Sequence, residues 1–125
     1  LAPVDPPVDP AWAVEASPSI PPGSVTVRFV GTSTLLFSDG ETAFLVDGWF
    51  SRFGTLRLLR GKIAPDVAAI ERGLARLGVS RLAAVIPVHS HFDHAMDAPE
   101  VARRTGALLL GSESTAQIDR GWGLP

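Results

Sequence analysis

The sequence predicts an α/β fold in which antiparallel strands are followed by alternating helix and buried strand. Three observations carry the prediction: two β-rich runs flanking Asp39-Gly40, an apolar period of three and four residues between Pro65 and Gly78, and an unbroken apolar run over 82–88. The composition allows such a fold, since 46% of the 125 residues are hydrophobic and 19% charged, with a mean hydropathy of +0.22. That balance lies outside the low-hydrophobicity, high-charge regime of disordered chains. Lys and Arg number 11 against 13 Asp and Glu, giving a net charge of −2 and a pI near 5.9, and no long basic tract occurs. A protein whose main work is gripping a phosphate backbone is thereby disfavoured, and no nucleic-acid partner is expected. The absence of cysteine removes disulfides, thiolate zinc sites, iron–sulfur clusters and cysteine nucleophiles, so any metal must be held by His, Asp or Glu. No apolar stretch approaches the roughly 18 residues of a membrane helix, and no basic-then-apolar signal opens the chain. A soluble chain is expected, with a periplasmic or secreted and a cytoplasmic compartment both open.

Taken in order, residues 1–24 read as a proline-rich leader. Pro3, Pro6, Pro7 and Pro10, then Pro18, Pro21 and Pro22, favour extended backbone and forbid a helix. Trp12 and Val14 are the side chains that could pin this leader to the body of the domain, which is expected over 25–125. The body opens with Val25–Val30, where Val and Phe alternate with Thr and Arg as in a half-buried strand. Gly31-Thr32-Ser33-Thr34 lacks the Gly-Lys-Ser/Thr ending of a phosphate-binding loop and reads as strand. Segments 33–38 and 42–46 form a hairpin around Asp39-Gly40, because Asp-Gly tolerates the positive φ angles of a two-residue turn. From Trp49 to Lys62 the chain reads as a loop carrying Arg52, Arg57, Arg60 and Lys62 among Trp49, Phe50 and Phe53.

Next, Val67, Ile70, Leu74 and Leu77 mark an amphipathic helix between Pro65 and Gly78. It leads into Leu82–Val88, expected to be a strand buried on both faces. Farther on, Asp97 with Glu100 three residues later has the spacing of a capping box, ahead of a short helix with Val101 and Ala102 inward and Gly106 as its stop. Ala107–Leu110 reads as another buried strand, and 112–120 as a helix ended by Gly121.

All three histidines fall in His89-Ser90-His91-Phe92-Asp93-His94, just past the buried strand. In extended backbone, side chains alternate, so His89 and His91 project to one side and both imidazoles can reach one metal. A turn at Phe92-Asp93 would carry Asp93 and His94 toward a second metal beside the first. Imidazole and carboxylate suit Zn²⁺ at roughly 2.0–2.2 Å, and they also serve Mn²⁺ or Fe. Loops at the C-terminal ends of buried strands are where such folds place chemistry. A serine nucleophile is disfavoured, since Ser90 has no Gly-x-Ser-x-Gly elbow. The plainer alternative is a set of solvated histidines, with His91 and His94 one helical turn apart and no ligand between them.

His89-Ser90-His91-Phe92-Asp93-His94 matches the His-x-His-x-Asp-His signature of the metallo-β-lactamase superfamily. The order of strand, Gly31, Asp39-Gly40 hairpin, Asp47-Gly48, helix and strand also resembles the N-terminal half of that fold, from about Val25 to the C-terminus. The texture of Gly31–Leu36 and Phe44–Asp47 is similar to the branch containing lactonases for phosphorylated sugar acids and N-acyl-phosphatidylethanolamine-type phospholipases D. The resemblance implies the N-terminal half of an αβ/βα sandwich, a mixed sheet with helices on one face. It implies a metallo-hydrolase in which metal-bound hydroxide attacks an ester, lactone, amide or phosphodiester. His89 and His91 would bind a first Zn²⁺, Asp93 and His94 would serve a second, and Asp93 would act catalytically by orienting the hydroxide. Asp47 matches the family's acidic position behind the metal loop, where it would hold a ligand by hydrogen bonding; an ordinary Asp-Gly turn is the alternative.

Trp49 and Arg52 fall in the stretch that borders the active-site mouth in the family, so they are candidates for contact with a small anionic or phosphorylated substrate, or a lipid headgroup. The alternative is a solvated basic loop whose apolar residues pack down. The family's second half supplies another His, a bridging Asp and a final His, whereas no His follows His94 here. The region 25–125 is therefore expected to be an incomplete domain with an open apolar sheet face. Three arrangements follow: part of a longer hydrolase, a homodimer that pools ligands across that face, or a metal-free binding module.

Overall fold

The computed structural model describes residues 21–124; the leader through Ile20, with Trp12 and Val14, lies outside the described residues. Runs of β-branched and aromatic residues build three antiparallel strands, β1 (Thr26–Gly31), β2 (Thr34–Ser38) and β3 (Ala43–Val46). Two further strands, β4 (Ala84–Ile86) and β5 (Leu108–Leu109), run parallel to β3. The sheet is mixed, five-stranded and ordered β1-β2-β3-β4-β5. Its register aligns Arg28, Leu36, Leu45, Val85 and Leu109 across one face. By alternation, the rows Val27-Phe37-Phe44-Ala84-Leu108 and Phe29-Leu35-Val46-Ile86 line the other.

Helices cover the first face, as expected. α1 (Thr55–Leu59) stands apart, while α2 (Val67–Leu77) and, after the short α3 (Phe92–Ala95), α4 (Ala98–Thr105) bring Ile70, Leu74, Ala98, Val101 and Ala102 onto Leu36, Leu45 and Val85. Phe50 and Leu82 complete this core, and Leu45, Ile70, Val85 and Val101 have no exposed surface. The cap of α2 is Asp66 rather than Pro65: its carboxylate accepts from the Ala69 N–H, and Gly78 closes the far end in the left-handed conformation. A glycine sits mid-helix because the Phe50 ring lies where a Cβ on Gly73 would be. α5 (Glu113–Trp122), capped by Ser112, packs on β5 and α4.

Among the described residues, no element covers the second face. Val25, Val27 and Phe29 are 63%, 54% and 70% exposed, and Leu108 and Leu110 are also open to solvent. The alternation expected in β1 is present, but its Val and Phe side is the uncovered one, because α2 and α4 pack on the opposite face. For the same reason Ala107–Leu110 is not a strand buried on both sides; β5 is a two-residue edge strand.

Other local expectations change for identifiable reasons. Gly31-Thr32-Ser33-Thr34 is a hairpin turn rather than continuous strand, with φ of 117° at Gly31 and 56° at Thr32. The second hairpin closes through residues 39–42 instead of two, because the Asp39 carboxylate accepts from the Glu41 and Thr42 N–H groups at 2.9 and 2.7 Å. Those bonds, Thr42's foremost, hold the Asp39 carboxyl below its ordinary range. The stretch from Trp49 to Lys62 is not all loop, since it contains α1. No capping box forms: Asp97 makes no cap bond to α4, and Glu100 turns instead to Arg103 and Arg104.

Glu100 is buried and accepts from Arg103 at 2.8 and 3.0 Å and from Arg104 at 2.6 Å. Arg103 above all, joined by Arg104, holds its carboxyl below the ordinary glutamate range against the opposing effect of burial. A depressed carboxylate contributes stability above its unfolded pKa and loses that contribution as pH falls through the folded value. Glu100→Gln should therefore cost about 1–3 kcal/mol at neutral pH, and the gap to the parent should close in acid; thermal unfolding across that pH range measures it. Gly73→Ala should cost about 1–3 kcal/mol by pushing the Phe50 ring out of place, read as a lower denaturant midpoint with an unchanged slope.

Candidate metal centre

β4 ends at Ile86, the chain bends through 88–91, and His91, the N-cap of α3, has extended backbone at φ −67° and ψ 152°. The expected extended run is therefore not what joins the two histidines: across these bends the His89 and His91 rings still meet, with centroids 4.6 Å apart and planes at 86°. The expected turn at Phe92-Asp93 is one turn of helix, closed by the His94 and Ala95 N–H groups on the His91 carbonyl at 3.0 and 2.9 Å. That turn carries Asp93 back, so that donor atoms of His89, His91 and Asp93 lie within 4.8 Å of one another. Donors bound to one ion at about 2.1 Å sit roughly 3.5–4.2 Å apart, so this set fits a Zn²⁺-sized cation after small side-chain rotations. His89 and His91 are exposed and Asp93 is partly so, which leaves the cluster open to a ligand from solvent.

His94 stands beside this group. Its ring centroid is 3.9 Å from that of His89, and its Nε2 is 3.7 Å from Asp93 Oδ2. The structure thus groups Asp93 with His89 and His91 while also setting it next to His94. Asp47 fixes His94 from behind: His94 Nδ1 lies 2.8 Å from Asp47 Oδ2, and 3.2 Å from Ser33 Oγ. With Asp47 as the acceptor in this bond, Nδ1 is the donor and Nε2 is the nitrogen that would be left to face a metal.

Asp47 is fully buried and its other oxygen accepts from the Val88 N–H at 2.9 Å, one residue before the histidine run. Its backbone takes φ 62°, and Gly48 follows at φ 80°. Short polar Asp tolerates that left-handed turn, whereas a Cβ at Gly48 would come within 3.2 Å of Val85 Cγ1. The Asp-Gly turn and the supporting carboxylate are therefore one device, since the turn is what aims the side chain. Ser33 is a contact that sequence reasoning missed. Its only signal was a place beside Gly31, and no pattern ties it to a residue 61 positions away.

Trp49 and Arg52 lie against the motif through Phe92, whose ring meets Trp49 edge-on at 6.1 Å. The Arg52 guanidinium stacks 4.6 Å over Trp49 and donates to the Trp49 and Ser51 carbonyls. Thr34 Oγ1 accepts from the Trp49 N–H at 2.9 Å, while Trp49 Nε1 is buried with no partner among the described residues. Asp97, also missed as a site support, anchors this stretch: it accepts from the Phe50 N–H, the Ser51 N–H and Ser51 Oγ at 2.8, 2.6 and 2.8 Å. Burial pushes its carboxyl upward against these bonds. Ser51 Oγ in turn accepts from the Asp66 N–H at 2.8 Å, joining the stretch to the start of α2.

Removing the brace behind His94 should weaken metal binding without emptying the cluster. Asp47→Ala is expected to lower Zn²⁺ affinity by about 10–100-fold, measured by calorimetric titration against the parent chain.

Among curated proteins, none matches the chain. The family model described as the metallo-beta-lactamase superfamily matches residues 26–123, from the start of β1 to just past α5. Members of that superfamily typically bind metals and are hydrolase-type enzymes as a class. With the match covering most of its length, the chain belongs to the metallo-β-lactamase superfamily.

Proposed function

We propose that this chain carries the metal-holding part of a hydrolase that acts on an ester, lactone, amide or phosphodiester bond of a small molecule. The observation that carries the reading is the convergence of His89, His91 and Asp93, with His94 held beside them by Asp47. A bound Lewis-acidic ion, Zn²⁺ by the nature of the donors or Mn²⁺ or Fe, would activate water and polarise the oxygen under attack. His89, His91, Asp93 and His94 Nε2 are the holding groups. Asp93, standing between the imidazoles, is the group suited to accept a hydrogen bond from water and so orient it. Trp49 and Arg52 would border the substrate, which is anionic or phosphorylated in this reading. The unpartnered buried Trp49 N–H supports that assignment, because such a donor is costly unless a substrate or further protein supplies an acceptor.

The reading includes completion of the site by further chain or by a second copy. A cluster of three close donors with open access and the bare apolar sheet face both support it. The bare face equally suits a metal-free interaction module, the second reading.

Zinc titration and hydrolysis assays on the completed protein separate the two. His89→Ala should lower zinc affinity at least about tenfold, and Asp93→Ala should cut kcat by about 10²-fold or more with the fold intact by circular dichroism. Unchanged zinc binding and turnover in both variants would remove the roles assigned to His89 and Asp93, and a parent protein with neither zinc binding nor turnover would leave the interaction module standing. Sedimentation equilibrium decides whether the second copy is part of the assembly.

A further inference from the structure

We propose that α1 and the turn after it form a docking element for an anionic phospholipid surface. The inference rests on the segment Gly54–Lys62 and stands whether or not the metal centre is active. α1 contributes no buried residue. Leu56, Leu58 and Leu59 are 69%, 40% and 78% exposed, so the apolar residues of this stretch do not pack down; Phe50 alone enters the core. Arg57, Arg60 and Lys62 alternate with those leucines and are all exposed. Among the described residues, no carboxylate pairs with any of the three. From Gly48 to Pro65 the sequence has four cations and no acid, in a chain whose net charge is −2.

Arg57 stacks 5.0 Å over the Phe53 ring, and exposed leucines interleaved with cations that no described carboxylate neutralises match the two forces that hold a segment in a membrane interface: apolar burial below the headgroups, and attraction to anionic lipid. A cavity of about 550 Å³, with Gly54, Thr55, Leu56, Arg57 and Arg60 as its lining among the described residues, adds room for part of a lipid at this segment. A free soluble anion would use the cations but leave the leucines unexplained. The bare sheet face is apolar too, but its rows carry no charged side chain, so it lacks the charge complementarity that the α1 segment shows. No helix of the described residues is long and apolar enough to cross a membrane, so the element would lie in the interface. Trp49, stacked under Arg52 and against Phe92, would keep that surface next to the histidine cluster.

The test is co-sedimentation with vesicles of phosphatidylcholine alone and of phosphatidylcholine mixed with phosphatidylglycerol, at low and high salt. The chain should bind the mixed vesicles and not the neutral ones, and added salt should weaken binding. Leu56→Ser with Leu59→Ser should lower partitioning by roughly tenfold or more. Arg57→Gln with Arg60→Gln should lower it by roughly thirtyfold. These side chains are exposed, so the helical circular dichroism should be unchanged in both variants. Val27→Ser with Phe29→Ser, on the bare sheet face, should leave partitioning unchanged. The proposal is overturned by failure to bind the mixed vesicles, by equal binding to neutral ones, or by loss of binding in the sheet-face variant while both α1 variants still bind.

Discussion

The buried Asp47 carboxylate is the constraint on which the site depends. It sits at the junction of the hairpin and the histidine run, and its two oxygens reach both sides of that junction. One oxygen takes the Val88 N–H and so fixes where the chain leaves β4; the other takes His94 Nδ1 and so fixes the ring one helical turn later. Because Asp47 also donates its own N–H to Ile86, the β3–β4 ladder and the site share one residue. A candidate metal site built in this way inherits the rigidity of the sheet, and the His94 ring is held in one orientation by the same carboxylate.

A second anchor does comparable work for the stretch after Gly48. Asp97 gathers two backbone N–H groups and the Ser51 hydroxyl, and Ser51 passes the connection on to Asp66 at the head of α2. Two buried carboxylates thus hold the two segments around the histidine cluster, each satisfied by hydrogen bonds rather than by a full counter-charge. Beyond Arg52 no comparable anchor is found among the described residues, and α1 has no buried residue. The contrast between a braced segment at 47–52 and an unburied one at 54–62 separates the part of the loop that shapes the site from the part free to meet a surface.

Much of the architecture was legible in the chain. The apolar period of α2, the run that became β4 and the β-branched pairs that became β2 and β3 depend on local pattern, and local pattern survives folding when the core face is long enough. The closeness of the histidines was legible from their spacing, but the extended backbone expected to produce it was not found, since 88–91 bend before α3. Turns were read less well. Asp39 replaced the two-residue turn by drawing Glu41 and Thr42 onto its side chain, and Gly31-Thr32 reversed the chain where strand was expected. Asp97 had the spacing of a cap, but its carboxylate found better donors about 46 residues away in Phe50 and Ser51.

By itself, then, the sequence determined most of the elements, and the types of the candidate metal-holding side chains and their order along the chain, since these follow from side-chain chemistry and backbone periodicity. It could not determine which side of β1 would be covered, since both faces of the sheet are apolar and only the placement of α2 and α4 chooses between them. Nor could it determine what stands behind a ligand. Ser33 and Asp47 meet at His94 because β1–β2, β3 and α3 are brought to one end of the sheet, a meeting of residues 61 and 47 positions apart that no local signal encodes.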